Sequence, residues 1–150
     1  MTSDHRDPGA DLFPTLAGGA LDPDLTIVCY GDAVMLAEQT AAKLAEEEIE
    51  TEIVIPSLLA PLPKRTLTGW LAKRRRIVTL EEAPFEYGFS AELGASLLEA
   101  GFQGSFTRVG PPAFPIPAAR SLEISILPDG DAVFDAVARL FLSEISARTE

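Results

Sequence analysis

Residues 77–97 constrain this chain more than any other stretch. Ile77-Val78-Thr79-Leu80 is an apolar run rich in β-branched residues and reads as a buried strand. Glu81 and Glu82 stand where that strand ends, Pro84 blocks its extension, and Gly88 permits a tight backbone turn. Phe89, Leu93 and Leu97 then recur at helical spacing. A buried strand that passes through a short acidic loop into a helix is the unit of an open α/β sheet. In such sheets the loops beyond the carboxyl ends of the strands are where ligands and partners meet the domain.

The same alternation runs through the rest of the chain. Residues 26–30 predict a strand running into Gly31-Asp32, after which Val34, Ala37, Ala41, Leu44 and Ala45 form one helical face. Asp32 is placed to cap that helix with its carboxylate. The alternative is a phosphate cradle at the helix start, against which stand a single glycine, no nearby lysine and an aspartate where the anion would sit. A second strand is expected at 52–55. After a proline-punctuated connection, a short helix at 66–73 puts Leu67, Trp70 and Leu71 on one side, with Trp70 read as core. The helix after Gly88 should end at Gly101 in a left-handed cap, followed by a strand at 105–109. Residues 110–117 hold four prolines and predict a stiff, irregular loop. Asp129 caps a final helix whose apolar stripe is Phe134, Val137, Ala138, Phe141 and Ile145.

At 150 residues this pattern fits one domain at 25–150, preceded by an arm at 1–24 rich in Asp, Gly and Pro and expected to be mobile. Within the arm, 15–20 is a weak candidate for an edge strand. His5, the only histidine, lies there too, where no scaffold would hold it as a general base. The formal charge of −11, from 23 acidic and 12 basic residues, argues against nucleic acid as a partner. No apolar run is long enough to span a bilayer and no secretory leader is recognisable, so neither a membrane nor secretion is expected and the cytoplasm is the default location. Cys29 is the only cysteine, which rules out an internal disulfide, and its apolar neighbours make it a buried thiol. The run Lys73-Arg74-Arg75-Arg76 has two readings: a complement to the negative pole of the preceding helix, or a docking patch.

Little here announces catalysis. The sequence contains no metal-ligand cluster, no nucleophile with an evident base and no glycine-rich phosphate loop. Glu81 and Glu82 are candidates for an acid and base pair, but neighbours on an extended strand point to opposite faces. The other reading is that one carboxylate bonds loop amides while the second faces a partner.

The glutamate pair, the short loop and then Gly88-Phe89-Ser90-Ala91-Glu92 resemble the C-terminal domain of the transketolase family, in particular that of the β chains of thiamine diphosphate-dependent 2-oxoacid dehydrogenases. The likeness continues in Pro115-Ile116-Pro117, Leu122-Glu123 and Leu127-Pro128, and covers roughly residues 25–142. Ser57 and Leu58 stand where many relatives carry an arginine, so any contact made by that arginine is lost.

The resemblance implies a three-layer α/β/α sandwich around a five-stranded, mostly parallel sheet with one antiparallel edge. The strands at 26 and 77 become neighbours, which sets Gly31-Asp32 beside Glu81-Glu82. The partner interface it implies is Asp32, Glu81, Glu82, Tyr87, Gly88, Pro115, Pro117 and Glu123, with the surface side chains replaceable and Phe89 buried. In the family the cofactor lies between two other domains, so the resemblance implies no catalytic, cofactor or metal residue in this chain, and thiamine diphosphate and Mg²⁺ in partner subunits carrying the diphosphate- and pyrimidine-binding domains. The expected function is a separately encoded, non-catalytic subunit of a split 2-oxoacid dehydrogenase or transketolase-like enzyme, with a lipoyl or carrier acyltransferase component as a further partner. The alternative is an autonomous interaction or small-ligand regulatory module on the same fold.

Overall fold

In the computed structural model, which describes residues 2–4, 15–17, 22–84, 86–113, 115 and 118–147, the strands form one sheet with helices on both faces. In chain order the elements are β1 (Thr2–Asp4), β2 (Thr15–Ala17), β3 (Leu25–Cys29), α1 (Ala33–Glu46), β4 (Thr51–Val54), α2 (Lys64–Leu71), β5 (Arg76–Leu80), α3 (Phe89–Glu99), β6 (Ser105–Val109), α4 (Arg120–Ile126) and α5 (Gly130–Ala147). The strand order is β1-β2-β4-β3-β5-β6. β4, β3, β5 and β6 are parallel, while β2 runs antiparallel to β4 and β1 antiparallel to β2. The sheet therefore has one strand more than expected, Thr2–Asp4, beyond the antiparallel strand at Thr15–Ala17. His5 lies outside the described residues.

Every residue of β3 is buried, as a central strand covered on both faces requires. One face carries α1 and α5 around Ile27, Cys29, Leu44, Val78, Val133 and Leu140; the other carries α2 and α3 around Val28, Val54, Leu67, Leu71, Leu93 and Leu97. Cys29 is buried as expected, and desolvation pushes its thiol up to about 12. Gly101 ends α3 at φ +77°, with the Phe102 N–H donating to the Leu97 carbonyl at 3.0 Å. Asp129 caps α5 through a 2.9 Å bond from the Ala132 N–H. Among the described residues no helix is long and apolar enough to cross a membrane.

Three local expectations are corrected and a fourth is refined. Asp32 makes no side-chain cap bond at the start of α1; it is exposed and already in helical geometry. The buried stripe of α5 is Val133, Ala136, Val137 and Leu140, so Phe134 stands off it and is partly exposed. Trp70 packs against the core cluster of α2 and α3 but at its margin, half-buried, with the Arg74 guanidinium 4.8 Å from its ring centroid. The basic run neither caps α2 nor forms a bare patch. Arg74 pairs with buried Glu52, Arg75 with Asp22 at 2.8 Å, and Arg76 donates to the Asp24 carbonyl at 3.2 Å while lying over the Phe141 ring.

Candidate functional site

The register of β3 against β5 pairs Cys29 with Leu80, so Tyr30 and Glu81 leave the two central strands side by side. Glu81 extends the pairing of β5 with β6 one step, its N–H donating to the Val109 carbonyl at 3.1 Å. Its side chain turns inward and the residue has no exposed surface. Three donors converge on the carboxylate: the Ser90 N–H at 3.1 Å, the Ser90 hydroxyl, and the Tyr30 hydroxyl at 3.2 Å.

This arrangement answers a local need. α3 begins after Gly88, which has no side chain to cap the helix, and Glu81 supplies from a neighbouring strand the negative oxygen that a capping residue would give. Gly88 is required for space rather than for a left-handed turn. Its φ is −81°, open to any residue, but a Cβ there would lie 2.5 Å from a Glu81 carboxylate oxygen. Burial, and then the charge of Glu81, push the Tyr30 hydroxyl up to about 12. Tyr30 also meets Phe89 edge-on, ring centroids 5.7 Å apart, and Phe89 is half-buried rather than fully enclosed.

Glu81 is thus a correction to the expected interface: its carboxylate is held inside the chain and presents nothing to a partner. Glu82, on the opposite face of the extended backbone, is exposed. With Asp32, Met35, Leu36, Leu80 and Pro128 it lines a crevice of about 260 Å³ beyond the ends of β3 and β5. All three acids expected at the switch in strand order, Asp32, Glu81 and Glu82, line this one crevice, with the Glu81 carboxylate bonded inward. On the same end of the sheet Tyr87 is 84% exposed, Met35 63% and Leu122 56%. Gly88 and Glu123 are half-buried, Pro115 is exposed, and Pro117 lies outside the described residues.

Reasoning from sequence missed Met35, Leu122, Tyr30 and the buried pair Glu52–Arg74. Glu52 alone carried a signal, as an acid within the strand pattern Thr-Glu-Ile-Val ahead of a basic run. In chemical terms the crevice offers two outward carboxylates among apolar side chains. That suits a cationic or hydrogen-bonding partner surface and repels a diphosphate. Among the described residues no three acids, histidines or cysteines are grouped to hold a metal ion.

Comparison with known proteins agrees with this architecture. The family model described as transketolase, C-terminal domain, matches residues 20–133. The chain is 34% identical over 119 residues to the mitochondrial pyruvate dehydrogenase E1 component subunit beta-1 of Arabidopsis thaliana, covering 77% of this chain and 33% of that protein. It is 28% identical over 120 residues to the acetoin:2,6-dichlorophenolindophenol oxidoreductase subunit beta of Bacillus subtilis (strain 168), covering 78% and 35%. The chain spans about a third of the length of these relatives. Its fold superimposes on that of a split-gene transketolase, solved as an inactive beta4 tetramer, with TM-score 0.69 and 22% identity over 84% of this chain and 41% of that one.

Proposed function

We propose, from the premise that this chain belongs to the transketolase C-terminal domain family, that it is a non-catalytic assembly and docking subunit of a thiamine diphosphate-dependent enzyme. In this reading partner subunits carry the diphosphate- and pyrimidine-binding domains and hold the cofactor and Mg²⁺, as a split enzyme requires. The chemistry they perform is 2-oxo acid decarboxylation with acyl transfer, or the related transfer of a ketol fragment. An acyltransferase component bearing a lipoyl or carrier group is a further partner.

The observation that carries this reading is the division of labour at the end of β5. Glu81, bonded inward, ties the end of β5 to the start of α3, while Glu82 shares a crevice with exposed Met35 and Tyr87 stands 84% exposed. An exposed tyrosine and an exposed methionine are side chains suited to the centre of an interface.

The test is reconstitution. Partner chains carrying the two cofactor domains are expressed with and without this chain, and the complex is measured by native mass spectrometry alongside decarboxylase and transketolase activity. A stable complex whose activity requires this chain is expected. Full activity of the partner chains alone, with no complex, overturns the reading.

A further inference from the structure

Between α3 and β6 lies an apolar cleft of about 420 Å³, separate from the crevice at β3 and β5 and within the ~300–1,000 Å³ range of small-molecule sites. β6 is the last strand of the sheet, so among the described residues no further strand closes this side. Phe106 and Arg108 stand two residues apart on β6, hence on one face and about 6–7 Å from each other, and both line the cleft. Phe102 and Leu97 form its buried base, and Leu98 stands 77% exposed at its rim.

Two glycines shape the cleft. A Cβ at Gly94 would come within 3.0 Å of the Phe106 ring, and one at Gly104 within 2.5 Å of the Phe102 ring and 2.4 Å of the Arg75 carbonyl. The rings lie down on the backbone because no side chain lifts them. Of the ten residues lining the cleft, Arg108 is the only charged one, in a chain whose formal charge is −11. An apolar slot with one cation beside it selects a ligand with an aliphatic body and a single anionic end. The guanidinium matches a carboxylate with two parallel N–H donors, and its five donors can serve a ligand in addition to a contact within the chain.

We infer that this cleft binds a medium-chain aliphatic monocarboxylate, its chain against Phe106, Phe102 and Leu98 and its carboxylate on Arg108. The inference goes beyond the docking role and does not depend on it.

Titration calorimetry on the purified chain tests it, with octanoate as the probe and octanol and octyltrimethylammonium as comparisons. Octanoate should bind with a dissociation constant on the order of 1 mM or tighter. Lengthening from hexanoate to octanoate should tighten binding roughly fifteenfold, at about fourfold for each of the two added methylenes. Arg108→Gln should weaken octanoate about tenfold and leave octanol unchanged. Ala95→Phe should fill the cleft and abolish binding of both, and its melting curve reports whether it folds. If it does not, Leu98→Asn at the exposed rim should weaken octanoate several-fold. Absence of octanoate binding, octanol binding as tightly as octanoate, or an Arg108→Gln variant with undiminished affinity overturns the inference. So does sedimentation showing a dimer that Ala95→Phe dissociates, which would make the cleft an interface between copies.

Discussion

At the end of the sheet where the parallel strands begin, acids and bases pair, one pair of them buried; at the end where they finish, the pair described is the exposed Lys64–Glu92, between the starts of α2 and α3. Glu52 on β4 is buried against Arg74 and also accepts from the Thr26 hydroxyl at 2.9 Å, while Asp22 holds Arg75 in solvent. At the other end Glu81 is satisfied by neutral donors, and Asp32, Glu82 and Glu86 face outward without a cation bonded to them among the described contacts. One end spends its charge on holding strands in register. The other uses one carboxylate on a loop and one in an exposed helix–helix pair, and leaves Asp32, Glu82 and Glu86 facing outward. A charge run and an acidic pair look equally available in a sequence, and the fold makes the first structural and divides the second.

The largest effect should come from breaking the first end. Glu52→Ala leaves the Arg74 guanidinium buried without its carboxylate, and removing one member of a buried pair typically costs about 3–5 kcal/mol. Urea denaturation measures the loss. Replacing both Glu52 and Arg74 by Met should recover most of it, and a double variant as unstable as Glu52→Ala would show that packing rather than charge holds this end. The Asp22–Arg75 pair, exposed on both sides, should contribute at most about 1 kcal/mol.

The next effect sharpens the second end. Glu81→Ala strands the Tyr30 hydroxyl and both Ser90 donors and should cost about 2–3 kcal/mol. Gly88→Ala pushes a methyl group into the Glu81 carboxylate and should cost about 1–3 kcal/mol. With the carboxylate gone the clash goes too, so adding Gly88→Ala to Glu81→Ala should cost almost nothing more. Additive losses would mean that the glycine serves some other purpose.

A smaller effect concerns pH. Tyr30 has its hydroxyl pKa raised from 10.0 to about 12, so the folded state favours the protonated phenol. That contribution is complete below about pH 10 and is lost as pH rises through about 12. Denaturation across this window should show a steeper decline for the parent chain than for Tyr30→Phe. Equal slopes would indicate that neither burial nor the Glu81 charge raises the phenol.

How much of this was legible depended on the range of the interaction. The central strands and the helices α1, α2, α3 and α5 came from periodicity, and the caps at Gly101 and Asp129 from local chemistry that needs only a few residues, whereas β1 and the short helix α4 were not read. The split of Glu81 from Glu82 followed from the alternation of an extended backbone. What a sequence cannot carry is the company each side chain keeps across strands. Tyr30 and Ser90 lie 51 and 9 residues from Glu81, and Glu52 lies 22 from Arg74. For the same reason Gly88 reads as a turn glycine, because the atom that forbids a side chain there belongs to a residue on the preceding strand.

The smallest effect on stability should be the largest on association. Tyr87 is 84% exposed and makes no side-chain hydrogen bond among those described, so Tyr87→Ala removes little packing and should shift stability by no more than about 0.5 kcal/mol. In an interface the same ring would be enclosed, and an anchoring tyrosine commonly costs 2 kcal/mol or more on truncation, about thirtyfold in affinity. Melting of the isolated variant beside its affinity for the cofactor-domain subunits separates the two regimes, with Glu81→Ala as the counterpart. Glu81→Ala should lose stability first and affinity only through the loop it no longer holds, so that cooling or a stabilising osmolyte restores part of its binding. Tyr87→Ala should be insensitive to both. If Tyr87→Ala melts as early as Glu81→Ala, the tyrosine belongs to the folded loop. If it binds as tightly as the parent chain, the surface beside Glu82 is not where this domain meets its partners.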